Sequence, residues 1–275
     1  MNTKEDTMLF LEELKKRTIY NLEQPRYIGQ PAYPGHRPHY NYFITRGHPE
    51  GYFPDTKGPR STAQGFFIMD DHSGTHIDAL SHQALDMTLF GGIHVDNTIE
   101  TPKGFTQHGV ETLKPILVRA VMLDVAAYKQ VTYLPNRYAI TRQDLIETAA
   151  HQQTEIHEGD AIIVRTGYDT LWRQPSEYLK YAGISADASA WVRALKPSLF
   201  GVDQLSWDIP EEIDPLTKSS HWAHIYLLVV DGVTMIENMK LDELARDKHY
   251  VFTLMCYPMQ FEGATGSPVV PLAIV

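Results

Sequence analysis

Cysteine is nearly absent: Cys256 is the only one in 275 residues. No intramolecular disulfide can form, which excludes a small secreted fold held by bridges and a zinc site built on several thiolates. Long apolar runs are missing as well, and no stretch reaches the roughly 18 residues a membrane span needs. Residues 1–17 (MNTKEDTMLFLEELKKR) are charged and mixed, without the apolar segment of a secretory leader. Positive charge is scarce, with 24 Lys+Arg against 34 Asp+Glu and a net charge of −10. Nucleic-acid phosphates and anionic lipids need a basic surface, so neither is an expected partner. The chain has no GxGxxG element, phosphate loop or GxSxG elbow, which leaves nucleotide and serine-hydrolase readings without an anchor. The expectation is a soluble cytoplasmic protein acting on a small molecule. Acidity does not disfavour a bound cation, which carboxylates and imidazoles ligate.

What is present reads as α/β. The hydrophobic share of 43% predicts a packed core, and the length suits one large domain or two. Met8, Leu11 and Leu14 recur at helical spacing, which predicts a helix that buries one face on its own domain. A lid, an arm or a dimer contact is the alternative. Residues 20–60 are rich in Pro, Gly, Tyr and His, a composition that predicts an ordered loop lining a pocket or wrapping the surface. From Ser61 strands and helices follow at short intervals. Gly65–Met69 (GFFIM), Ile116–Val125, Ala161–Arg165 (AIIVR), Leu199–Val202 and Val233–Ile236 are predicted strands, as are Tyr250–Met255 and Val269–Val275, with GFFIM buried. Thr141–Ala150, with Thr141 and Asp144 at capping-box spacing, Ala186–Leu195 and Ser219–Val229 are predicted helices. One α/β domain fits these short connections.

The chemistry concentrates in Asp70–His82, DDHSGTHIDALSH. His72, His76, Asp78 and His82 fall within eleven residues, and neutral imidazole and carboxylate are ligands for Zn, Mn or Fe. GFFIM ends near Asp70, Ser73-Gly74 supplies a turn, and Thr75 is a candidate N-cap for a helix starting at His76. In that helix Asp78 and His82 would share a face.

HSGTHIDALSH resembles the H-x-G-T-H-x-D-x-P-x-H signature of the putative cyclase family, which includes bacterial kynurenine formamidase and isatin hydrolase. Leu80 stands where the signature has Pro. KPILVRAVMLDV (114–125), EGDAIIVRTGY (158–168), FGVDQLSWD (200–208), HIYLL (224–228) with VTMIEN (233–238), and EGATGSPVVPLAI (262–274) resemble further family elements. The resemblance covers roughly residues 61–275. It implies a swivelling β/β/α fold with a mixed sheet or barrel-like core and flanking helices, preceded by an N-terminal helix and arm over residues 1–60. It also implies that His72, His76 and Asp78 hold a first metal. In two-metal members the match to Asp78 bridges to a second ion held by matches to His224 and Glu237. One or two Zn or Mn ions per chain follow, with a homodimer or homotetramer. His221 is an alternative to His224, which fits H-x-x-L-L better.

The function implied is hydrolysis of a carbon–nitrogen bond in an aryl formamide or a cyclic amide or imide. A metal lowers the pKa of water toward ~7, and His82 would move the proton, with Glu237 sharing that work if it is not a ligand. Aromatics between Tyr33 and Phe53, with Phe66, Phe67 and Phe90, could stack on a planar ring or simply pack the core. A lactone hydrolase or a cyclase or dehydratase on the same site is the enzymatic alternative. A metal-binding protein without turnover is the non-enzymatic one.

Overall fold

The computed structural model describes residues 3–209 and 212–275. In chain order its strands of three or more residues are β1 (Ile19–Asn21), β2 (Asn41–Arg46), β3 (Gln64–Ile68), β4 (His76–Asp78), β5 (Ile116–Asp124), β6 (Ala161–Arg165), β7 (Leu199–Val202), β8 (Thr234–Glu237), β9 (Val251–Cys256), β10 (Gly266–Pro268) and β11 (Leu272–Ile274). Its longer helices are α1 (Thr3–Lys15), α2 (Arg142–His151), α3 (Ala186–Ala194) and α4 (His224–Val230), the last with π geometry. Nine strands form one mixed, strongly curled half-barrel sheet in the order β1-β11-β9-β5-β6-β7-β8-β4-β10. β5 to β8 run parallel, and every other pairing within this sheet is antiparallel.

Side-chain alternation explains why the central strands read as unbroken apolar runs. On β6, Ile162 and Val164 enter one core cluster while Ala161 and Ile163 enter the other. β5 divides in the same way, with Val121 and Leu123 on one face and Ala120 and Met122 on the opposite one. Parallel strands covered on both faces require this composition. β9 instead buries Phe252, Leu254 and Cys256 and exposes the residues between them, as a strand covered on one face does. The capping box at α2 forms: Thr141 Oγ1 accepts from the Asp144 N–H at 3.1 Å, and Asp144 Oδ2 accepts from the Thr141 N–H at 2.9 Å.

Four local expectations are corrected. First, residues 76–78 form a strand, not a helix. Antiparallel pairing with β8 and β10 on either side, and the fully buried Ile77, outweigh the capping signal. The Thr75 hydroxyl is spent elsewhere, donating to Asn238 O at 2.6 Å. Second, β3 is a strand as expected but is not buried, with Phe66 and Phe67 more than half exposed. It pairs only with β2, in a two-stranded ribbon outside the main sheet. Third, residues 20–60 are not all loop, since β1 lies at the sheet edge and β2 in the ribbon. Fourth, of the predicted apolar face of α1, Met8 and Leu11 are exposed and only Leu14 is half-buried. Two differences are smaller. The segment expected as a helix from Ser219 starts at Trp222, and of the last predicted strand, Val269–Val275, only Leu272–Ile274 is a strand. No helix of the described residues is long and apolar enough to cross a membrane.

Candidate metal centre

β4 crosses the sheet between β8 and β10, which places the chemistry. A strand projects alternate residues to one face, so His76 and Asp78 point together while Ile77 enters the core. Glu237 ends β8 directly opposite His76. His72 lies in the turn before β4, His82 in the turn after it, and His224 at the first turn of α4. Gly266 on β10 pairs with Asp78, and a Cβ there would come within 2.7 Å of the His72 ring. Only glycine lets that imidazole lie against the sheet.

The hydrogen bonds fix each imidazole. The Thr265 hydroxyl donates to Asp71 Oδ2 at 2.8 Å, so toward His72 Nε2, 3.0 Å away, its oxygen accepts. His72 therefore carries its proton on Nε2 and turns a bare Nδ1 to Asp78 Oδ1, 3.0 Å away. His76 Nδ1 donates to Gly74 O at 2.8 Å, leaving Nε2 3.4 Å from Asp78 Oδ1 and 3.6 Å from Glu237 Oε2. His224 Nδ1 donates to Asp208 Oδ2 at 2.7 Å, leaving Nε2 3.7 Å from Asp78 Oδ2 and 3.8 Å from Glu237 Oε1. His82 Nε2 is 3.9 Å from Asp78 Oδ2.

With each imidazole neutral, its inner nitrogen would turn a lone pair to carboxylate oxygens with no donor between them, a gap that a proton or a metal ion fills. Asp78 Oδ2 is buried and has no hydrogen-bond partner among the described residues. Only a positive species resolves such a cluster, and separations of 3.0–3.9 Å match those between ligands sharing one ion at ~2.0–2.2 Å. Imidazoles held by an outer carbonyl or carboxylate are the usual support of a metal site. Asp78 faces two sets of donors, with Oδ1 toward His72 and His76 and Oδ2 toward His82 and His224, so the residues could hold one ion or two. Ligand atoms of His72, Asp78 and His82 lie within 4.8 Å of one another, which puts His82 within ligand reach as well.

Electrostatics agree with this geometry. Burial would lower His76, but Asp78 and Glu237 outweigh it and the pKa rises to about 9. Burial opposes His224 in the same way, and Asp208, Glu237 and Asp78 raise it to about 9. Burial and the nearby Asp78 push Glu237 up to about 7, against the pull of His224 and His76. Burial would raise Asp78, yet His82, His72 and His76 hold its carboxyl well below the usual range. His82 is the exception: burial and the surrounding imidazoles pull it well below the ordinary histidine value despite Asp78, so it is neutral at neutral pH. Without an ion, protons on His76 and His224 stand where a divalent cation would.

A cavity of about 120 Å³ opens over the cluster. His221 lines it, with Nδ1 2.7 Å from Ser220 Oγ and its ring 5.3 Å from that of His224. His221 does not face Asp78 or Glu237 within ion-pair range among the described residues, whereas His224 faces both. Asp203 makes no ion pair with the cluster among the described residues and braces a turn, accepting from the N–H of Thr166 and Gly167 at 2.8 and 2.7 Å. Of the aromatics expected at the substrate, Tyr33 lines the cavity. Phe66 and Phe67 line a separate surface groove with Phe261, and Phe90 packs beside His108. Sequence reasoning left Asp71, Thr265 and Asp208 without a role, and it missed His36, whose ring lies 5.0 Å from that of His72. Asp208 ends the quoted FGVDQLSWD, but nothing in that spacing says it holds His224.

A sequence model described as "Cyclase: Putative cyclase" matches residues 20–209, more than half of the chain. The chain belongs to the putative cyclase family. The matched segment contains His72, His76, Asp78 and His82, and it stops before His224 and Glu237. Within the family, Cyclase-like protein 2 of Oryza sativa subsp. japonica is 25% identical over 208 residues, 73% of this chain. The match spans only 61% of that relative's length. A solved structure of a novel cyclase superposes with a TM-score of 0.79 at 26% identity, covering 94% of this chain and 88% of that one. An isatin hydrolase bound to the product analogue thioisatinate shares the fold at a TM-score of 0.72 and 18% identity, covering 100% and 99%. A protein described as a "predicted metal-dependent hydrolase", from Bacillus stearothermophilus, shares it at 0.58 and 19%, covering 94% and 98%.

Proposed function

We propose that this chain is a metal-dependent hydrolase of a carbon–nitrogen bond in an aryl formamide or a cyclic amide or imide. One observation carries the reading: imidazoles oriented by outer hydrogen bonds converge on Asp78, whose Oδ2 is buried without a partner among the described residues. His72, His76 and Asp78 are the proposed ligands of one ion. Asp78, His224 and Glu237 are those of a second, and zinc and manganese both suit this donor set. A divalent ion there would supply Lewis acidity, polarising a carbonyl oxygen and acidifying a water.

The chain's own groups do the rest. His82 is neutral and borders the cavity, so it takes the proton from the attacking water and passes it to the leaving nitrogen. The reaction balances with one water consumed. Its oxygen bonds to the carbonyl carbon, the carbon–nitrogen bond breaks, and the nitrogen leaves protonated. A formamide gives formate and an amine, and a cyclic amide gives a ring-opened amino carboxylate. Glu237, held by the Trp207 N–H at 3.0 Å, keeps the second half of the cluster aligned. The test is turnover of N-formylkynurenine and of isatin, before and after chelation and after adding back Zn or Mn. Metal without turnover of either would move the reading to a lactone or to another ring chemistry.

We also propose that the chain works as a homodimer or homotetramer. The β2–β3 ribbon supports this, because Ile44 and Phe67 are 67% and 56% exposed and a lone two-stranded ribbon is marginal in water. Light scattering should give a multiple of the 31.3 kDa chain mass, and the mass of a single chain would refute it.

A further inference from the structure

We infer that His36, carried on the N-terminal arm, is a specificity-determining residue that contacts the substrate. The inference rests on the hydrolase reading and names a residue that sets its substrate preference. The arm is tied to the turn that bears the cluster. Arg26 Nη2 donates to Thr75 O at 2.7 Å and Nε to Ser73 O at 3.1 Å, while Gln30 Nε2 donates to Ser73 Oγ at 3.0 Å. Beyond this anchor, residues 33–36 make a tight turn closed by the His36 N–H on Tyr33 O at 3.0 Å.

That turn hangs over the cluster. The rings of Tyr33, His36, His72 and His82 follow one another at 5.1, 5.0 and 4.1 Å between centroids. The column continues from the arm into the site, and His36 lines the cavity above the cluster. Among the described residues neither ring nitrogen of His36 makes a hydrogen bond, so one donor and one acceptor remain for a ligand. A flat ring can lie against Tyr33 and His36, with its N–H or C=O on that imidazole.

The experiment uses the full chain reconstituted with zinc, as wild type and as His36→Ala and His36→Asn. Calorimetry measures binding of oxindole, a compact lactam, and zinc binding to each metal-depleted protein. Steady-state kinetics compare isatin with N-formylkynurenine. His36→Ala should weaken oxindole roughly tenfold or more and raise KM for isatin by a similar factor, with kcat changed less than about threefold. His36→Asn, which keeps a polar head, should fall between. Zinc affinity should stay within about twofold of wild type. Equal oxindole binding by wild type and His36→Ala overturns the inference. A His36→Ala chain that binds zinc poorly also overturns it, because the residue would then be positioning His72. A wild type that hydrolyses neither compound refutes the hydrolase reading alone, and the oxindole comparison still decides the role of His36.

Discussion

Thr265→Val should weaken metal binding without touching any proposed ligand. Valine keeps the shape and removes only the hydroxyl that accepts from His72 Nε2 at 3.0 Å. The next acceptor, Asp71 Oδ1, lies 3.8 Å away, beyond a hydrogen bond. His72 then gains by moving its proton to Nδ1, where Asp78 Oδ1 waits at 3.0 Å. That proton occupies the lone pair an ion needs. Loss of such an outer partner costs about 10–100-fold in metal affinity, or ~1.4–2.7 kcal/mol. The Thr265 N–H still donates to Asp71 at 3.0 Å, so the loop is retained. Zinc titration of the metal-depleted variant by calorimetry reads the effect, and Thr265→Ser, which restores the hydroxyl, should bind close to wild type. If Thr265→Val binds zinc within about twofold of wild type, with an unchanged melting temperature, the tautomer reasoning is wrong.

Other outcomes test other parts of the site and the fold. His82→Ala should retain its metal and lose about 10²–10⁴-fold in kcat, read by elemental analysis beside kinetics; loss of the metal instead would make His82 a ligand. Asp78→Asn should purify without stoichiometric metal, since both halves of the cluster converge on that carboxylate; full occupancy by elemental analysis would contradict this. Zinc affinity should rise between pH 6 and 8. His76 and His224, raised to about 9, are protonated throughout that window in the ion-free protein, and each must release a proton to bind. Each such proton contributes up to about tenfold per pH unit, so competition titrations showing a flat profile would argue against binding through these imidazoles. Thr141→Ala should destabilise the chain by about 1 kcal/mol through loss of the α2 cap, measured by denaturant unfolding, and an unchanged midpoint would count against that cap.

The sequence revealed the reactive groups more clearly than the scaffold that aims them. Ligand types and spacing singled out His72, His76, Asp78 and His82, and the structure gathers them. Their support is a strand, because the fate of residues 76–78 was decided by β8 and β10, which arrive some 160 and 190 residues later. A Thr–Asp capping spacing is local and cannot register that pairing. Thr265 bonds His72 across 193 residues of chain, so no window of sequence could disclose it. GFFIM failed for another reason. An apolar run reads alike whether it is buried between layers or exposed in a ribbon. AIIVR succeeded because the parallel sheet covers it on both faces, the arrangement its composition suits. His36 stood in plain view in the arm, but only its stacking on His72 marks it.

The most direct measurement is the metal content of the purified chain, taken together with isatin and N-formylkynurenine turnover before and after chelation. One or two divalent ions per chain are expected, with activity lost on chelation and restored by Zn or Mn. A native chain that carries no metal, takes up none when it is supplied and leaves both substrates intact would mean that the convergence on Asp78 is not a metal centre, and the hydrolase reading would fall with it.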